Sequence, residues 1–268
     1  MGDDARRGFS PRFFLSDQPE QTRKRVSSGD RVQLGREDSH HATRVLRLRP
    51  GDVCEVVAGD RTVFQATVER VGDQVGLTVG RQATGADMGA VYRHQVGLVQ
   101  ALARPAVMDY VIEKGTEVGA DMFVVAASAG SPRHGGLGEE RLERWRRIAR
   151  EAAKQSKQTR VPRVVSAASL TEALALLQEW AAFHVVLEPE AEDGLCDLLA
   201  GTLRPAGAAE DGLRVSLWVG PEGGWQAGEL AALAAAGACA ARLGRSILRT
   251  ETAGPVAVAM ARLALGDW

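Results

Sequence analysis

Two short segments concentrate the residue types that could do chemistry: Trp218-Val-Gly-Pro-Glu-Gly-Gly-Trp225 and, about twenty residues on, Leu243-Gly-Arg-Ser-Ile-Leu-Arg-Thr-Glu-Thr-Ala253. In the first, Gly220, Gly223 and Gly224 permit positive φ and let a ligand press against bare peptide groups. In the second, Arg249, Thr250, Glu251 and Thr252 crowd the mouth of a helix expected to begin near Thr252. Glycines together with convergent polar groups at strand ends describe a small-molecule site. The first segment is no dinucleotide fingerprint, because GxGxxG spacing is absent, and no P-loop Lys-Ser/Thr follows it.

The elements that must hold these loops alternate. Strands are expected at Gln95–Ala101, Met122–Ala126, Arg163–Val165, Phe183–Leu187 and Arg214–Val219, with a short one ending near Leu243. Between them lie helices at Val107–Val118, Glu139–Gln158, Leu170–Trp180 and Gln226–Ala236, and a last helix runs to Leu265. Residues 188–194 read as a loop. Such alternation implies an α/β domain with a largely parallel sheet, whose ligands sit beyond the carboxyl ends of the strands. Pro255 is expected in the first turn of the last helix, where its missing N–H does no harm.

Upstream, short strands at Phe13–Leu15, Val32–Leu34, Val53–Val57, Thr62–Val68 and Val75–Val79, punctuated by Gly59-Asp60 and Gly72-Asp73, predict a small β-barrel or sandwich. One helix, Glu37–Leu46, interrupts it. The polar stretch 82–90 marks the change in character, so domains are expected over residues 1–82 and 83–268.

Composition is that of a soluble globular chain of 268 residues with net charge −1, so any nucleic-acid contact requires locally concentrated positive charge. The segment 141–163 supplies it: on a helix Arg146, Arg147, Arg150, Lys154 and Lys157 share one sector beside the apolar face of Leu142, Trp145, Ile148, Ala149 and Ala152. Arg12, Arg44, Arg47 and Arg49 repeat the theme on the small domain. Three scattered cysteines and isolated histidines (His40, His41, His94, His134, His184) indicate neither disulfides nor a metal site. There is no signal-peptide pattern and no run of about eighteen apolar residues, so no membrane span is expected and a cytoplasmic location is.

The paired loops resemble the SPOUT superfamily of RNA methyltransferases, and in particular the family that methylates N3 of a uridine in 16S ribosomal RNA. Pro11-Arg-Phe-Phe14, His41–Leu48 with Arg49-Pro-Gly-Asp52, Glu113-Lys-Gly-Thr-Glu-Val-Gly119, Glu151-Ala-Ala-Lys-Gln155 and Thr159-Arg-Val-Pro162 are similar to further blocks of that family, in its order. The resemblance implies an α/β fold with an N-terminal PUA-like β-barrel and a C-terminal SPOUT domain tied in a trefoil knot. It also implies a homodimer that uses S-adenosylmethionine, needs no metal, and acts on 16S ribosomal RNA within the small subunit.

Carried onto these residues, it places the cofactor at Leu187, Glu188 and Pro189, at Gly220, Pro221, Glu222, Gly223 and Gly224, and at Leu243, Gly244, Ile247, Leu248, Thr250, Thr252 and Ala253. RNA would meet Arg12, Arg44, Arg47, Arg49, Arg147, Arg150, Lys154 and Arg160. The chain departs from the family where Trp225-Gln226 replaces Phe-Ser, which removes a Ser helix cap while leaving Glu229 in the capping-box position. It departs also at Glu188 and Gln158, where many relatives carry His and Arg.

Uridine N3 holds a proton at neutral pH, so methylation requires a base or stabilisation of the anion spread over O2 and O4. Arg249 is the expected anion partner. Glu251 is the expected base or the residue that orients Arg249, with a carboxylate held by the helix N-terminus as the equal alternative. Two other readings stay open: a methyltransferase of the superfamily with another RNA target, and a non-catalytic RNA-binding ribosome assembly factor.

Overall fold

The computed structural model describes residues 10–15, 25–131, 138–203 and 212–268; His134 lies outside them. The chain forms two compact units, one of residues 1–90 with 154–160 and one of 91–153 with 161–268.

The first unit holds β1 (Arg12–Phe14), β2 (Arg31–Gln33), α1 (Arg36–His40), β3 (Val53–Val57), β4 (Val63–Arg70) and β5 (Gly76–Gln82). They make one sheet in the order β1-β3-β4-β5-β2, antiparallel except for the β1–β3 pair. Among the described residues this sheet has two edges, β1 and β2, so the expected small β-barrel or sandwich takes the form of one open sheet. Irregular register between β4 and β5 strengthens its twist. Period-two alternation buries Cys54 and Val56 of β3 with Phe64, Ala66 and Val68 of β4 on one face, where Leu34 and Leu77 complete the core. The expected helix 37–46 divides into α1 and a π-helical stretch, His41–Val45.

The second unit runs β6 (Gln95–Ala101), α2 (Pro105–Glu117), β7 (Met122–Ala126), α3 (Glu139–Gln155), β8 (Arg163–Ala167), α4 (Leu170–Gln178), β9 (Phe183–Leu187), α5 (Leu195–Leu203), β10 (Arg214–Val219), α6 (Ala227–Ala235), β11 (Cys239–Ala241) and α7 (Thr250–Ala264). All six strands pair in parallel, in the order β11-β9-β10-β6-β7-β8. Both faces are covered, as a parallel sheet requires. Leu98, Val185, Leu217 and Phe123 pack with Met108 and Ile112 of α2, Trp145 of α3, Leu195 of α5 and Ala257 of α7. The neighbours that point the other way, Val99, Val124, Val186 and Trp218, pack with Ala173 and Leu177 of α4 and Leu233 of α6.

Three departures from expectation bear on the site. Helix α5 occupies a stretch for which no helix was expected. Helix α3 ends at Gln155, and Lys157 adopts a left-handed φ of 58°, so Lys157 does not continue the basic stripe. Helix α7 starts at Thr250, which makes Pro255 its sixth residue rather than part of its first turn. Having no N–H, Pro255 leaves the Glu251 carbonyl without its usual donor four residues on. No helix among the described residues is long and apolar enough to cross a membrane.

Candidate active site

Strands β11, β9, β10 and β6 are consecutive in the sheet, and the segments leaving their carboxyl ends converge on one cleft of about 420 Å³. From β9 come its last residue Leu187 and then Glu188 and Pro189; after β10, Gly220, Pro221, Glu222 and Gly224; after β11, Leu243, Gly244, Ile247 and Leu248, leading into Arg249, Thr250, Glu251 and Ala253. The sequence segments thus form one site, with both expected catalytic residues on its wall. Gly223 and Thr252 do not line it.

Each loop is held from within. Residues 221–224 close a turn through Gly224 N–H to the Pro221 carbonyl at 2.9 Å, and Gly224 has φ 75°. Gly220 and Gly223, expected to share that freedom, do not use it. What Gly220 supplies is clearance, since a Cβ there would stand 3.3 Å from three atoms of the Trp225 indole. Trp225 is buried against Gly220 and lines the cleft. The helix that follows keeps a cap without serine: the Glu229 carboxylate accepts from Gln226 N–H at 2.9 Å and from Ala129 N–H at 2.9 Å.

The two glycine-bearing loops are joined by Thr250, whose hydroxyl donates to the Gly220 carbonyl at 2.7 Å and accepts from the Gln100 amide at 2.8 Å. Gln100 is nearly fully buried in β6. Arg249 is the exposed residue that precedes the first turn of α7, and Glu251 is half-buried within that turn.

Sequence reasoning missed Arg104, Val219, Trp225 and Ser246 as wall residues, and Gln100 as a support. Two signals were available: Gln100 is the polar interruption in Val-Gly-Leu-Val-Gln-Ala, and Arg104 immediately precedes Pro105, the first residue of α2. Arg104 pairs with Glu222 at 2.9 Å across the cleft rim.

The walls fit a nucleoside-bearing sulfonium. Leu187, Val219, Leu243 and Leu248 give apolar surface, while Glu188 and Glu251 give negative charge suited to a cation. Among the described residues no group of His, Cys, Asp and Glu could hold a metal ion.

The expected RNA contacts fare unevenly. Arg12 is 2% exposed, paired with Glu55 at 2.8 Å and donating to the carbonyls of Lys157 and Gln158, so it is an internal tie of the small unit. Lys154, 4% exposed, meets the equally buried Asp38 at 2.5 Å, so its charge is spent inside the protein. These two are corrected from RNA contacts to structural ion pairs. Of the rest of the expected stripe, Lys157 is paired with Glu55, and Arg146 with Glu139 and Glu143. Burial lowers the pKa of Arg150, which is half-buried like Arg160. Arg147, Arg44, Arg47 and Arg49 are exposed.

His94 and His184 are tied into the fold. His94 Nδ1 accepts from Leu213 N–H at 2.9 Å, and His184 Nδ1 lies 2.6 Å from Ser216 Oγ, which also accepts from Trp218 Nε1. Burial lowers the pKa of both rings.

Comparison with known proteins agrees with this geometry. Residues 92–262 match the RNA methyltransferase domain family, and residues 34–75 match the RNA methyltransferase PUA domain. The chain is 33% identical to ribosomal RNA small subunit methyltransferase E of Mycobacterium bovis, over 96% of this chain and 92% of that protein. Its identity to the Bacillus subtilis protein of the same name is 27%, over 90% and 92%. Among solved structures, a probable rRNA-methyltransferase from Porphyromonas gingivalis superposes with TM-score 0.70 at 27% identity, covering 96% of this chain and 98% of that one. The S-adenosyl methionine-bound ribosomal RNA small subunit methyltransferase E of Neisseria gonorrhoeae shares the fold, with TM-score 0.74 at 23% identity over 95% and 98%.

Proposed function

Because the chain belongs to the RNA methyltransferase family, with small-subunit ribosomal RNA methyltransferases as its relatives, we propose that it methylates N3 of a uridine in 16S ribosomal RNA. The donor is S-adenosylmethionine, which supplies an electrophilic methyl group. The observation that carries this reading is the single cleft at four adjacent strand ends, in which both glycine-bearing loops meet and are joined by Thr250.

Leu187, Leu243 and Leu248 hold the adenosine by its faces, with the turn at Gly220–Gly224 and the backbone of 243–248 at its edges. Exclusion of water by these apolar walls strengthens each charge interaction inside. Arg249 stabilises the anion that forms on O2 and O4 as the N3 proton leaves, and Glu251 takes that proton or orients Arg249. Much of the rate comes from holding donor and base in line.

The PUA-like unit, residues 1–82, and the exposed Arg44, Arg47, Arg49 and Arg147 serve RNA binding, and residues 83–268 form the catalytic domain. A trefoil knot and a homodimer complete the proposal. In support of the knot, β10 enters between β9 and β6, and β11 then lies on the far side of β9. The test is nucleoside mass mapping after incubation with unmethylated small subunits and the methyl donor. Methyl at uridine N3 is expected; methyl at ribose O2′ or guanine N1, or none, overturns the assignment.

A further inference from the structure

Arg104 belongs to none of the three segments that the motifs single out, yet it lines the same cleft. It leaves the sheet just beyond the end of β6, directly before Pro105. We propose that Arg104 is an RNA-side residue of this site that grips an anionic oxygen of the target nucleotide, with Glu222 holding its guanidinium in place until RNA enters. The inference rests on the methyltransferase reading above.

Charge is the first argument. A guanidinium is permanently cationic, so it repels a sulfonium donor and suits an oxyanion, which it can grip through two parallel hydrogen bonds. Exchangeability is the second. The Arg104 and Glu222 side chains are 71% and 58% exposed and meet through one contact of 2.9 Å. Pairs of this kind are screened and weak, so a nucleic-acid oxygen displaces Glu222 readily. Arg262, by contrast, is wholly buried between Asp121 and Asp267 and has nothing to exchange.

Position is the third. Strand β10 pairs with β6 along the whole length of β10, so the Arg104 segment and the Gly220–Gly224 turn follow neighbouring strand ends. Arg249 lines the same cleft from the β11 side, and the two arginines bring positive charge to it from separate segments. The oxygen can come from the RNA backbone or from the uracil ring as N3 loses its proton. Both present the same chemistry to a guanidinium, and kinetics separate them.

The full-length chain is assayed with small-subunit RNA as substrate, alongside Arg104→Ala, Arg104→Lys and Glu222→Gln. Arg104→Ala keeps its melting temperature and its calorimetric affinity for S-adenosylmethionine, while kcat/KM for RNA falls about tenfold or more. If a phosphate is gripped, the loss lies in KM, Arg104→Lys recovers part of it, and the slope of log K against log salt flattens by roughly 0.7–0.9. If the uracil oxygen is gripped, the loss lies in kcat and the pH–rate profile moves to higher pH. Glu222→Gln, which releases the guanidinium, raises RNA affinity about two- to fivefold at low salt.

Weakened S-adenosylmethionine binding in Arg104→Ala, or unchanged RNA kinetics, overturns the role of Arg104. Unchanged RNA affinity in Glu222→Gln overturns the holding role of Glu222. A wild-type chain that neither binds the donor nor methylates RNA instead sinks the underlying methyltransferase reading.

Discussion

The Thr250 hydroxyl donates to the Gly220 carbonyl over 2.7 Å, and this bond fastens the start of α7 to the end of β10. Because the same oxygen accepts from Gln100, one side chain joins three segments of the cleft, and Gln100 lies outside both motifs. Thr250→Val keeps the shape and removes the oxygen, leaving a buried amide and a carbonyl without this partner. A loss of about 1–3 kcal/mol in urea denaturation is expected, with weaker cofactor binding, and Thr250→Ser should recover most of both. Wild-type values for the valine variant would show that the bond is dispensable.

Arg249 stands outside the first turn of α7 and is exposed, so its removal leaves the fold intact. Arg249→Ala is expected to bind S-adenosylmethionine normally and to lose at least about a hundredfold in kcat. Near-normal turnover would end the assignment. In the companion variant Glu251→Gln, a changed pH dependence of kcat identifies the base, whereas an unchanged profile assigns the carboxylate to the helix N-terminus.

Lys154 and Asp38 test the corrected view of the basic stripe. Lys154→Met removes the cation that Asp38 meets inside the protein and should cost about 3–5 kcal/mol, whereas Lys154→Met with Asp38→Leu should recover much of that loss. Chemical denaturation measures both. An RNA affinity that falls while stability holds would restore Lys154 as an RNA contact.

Stability should depend on pH through His184 and His94. Burial lowers both native pKa values, so the unfolded chain binds these protons first as pH falls. The contribution is complete above the unfolded value of about 6.5 and is lost between that value and the lower native ones. Thermal denaturation from pH 8 to 5 should show this decline, and His184→Gln should flatten it.

Strand positions and the three walls of the cleft were legible because they depend on local signals. A continuous apolar run marks β7, largely apolar runs with single polar interruptions mark β6, β9 and β10, and glycine with proline marks the turn after Val219. What escaped depends on partners distant in sequence. Arg12 and Lys154 look like RNA contacts until Glu55 and Asp38 are brought to them. Lys157 looks helical until its left-handed φ ends the stripe. Helix α5 could have been found, since Leu195, Leu198 and Leu199 keep helical spacing, but the acidic turn before it masks the start. Arg104 carried one local signal, its place directly before Pro105, but its partner Glu222 lies 118 residues away.

Pro255, in the second turn of α7, has a consequence for motion. Because Pro255 has no N–H to offer the Glu251 carbonyl, the bond that would tie the opening turn to the next one is missing, and Thr250 supplies a tie from outside the helix. The opening turn is therefore expected to be the part of α7 where local opening costs least. Thr252 and Ala253, which bond back to the Arg249 carbonyl, should exchange hydrogen with solvent quickly in the free protein and slow sharply once the donor binds, while the amides of α2 remain protected throughout.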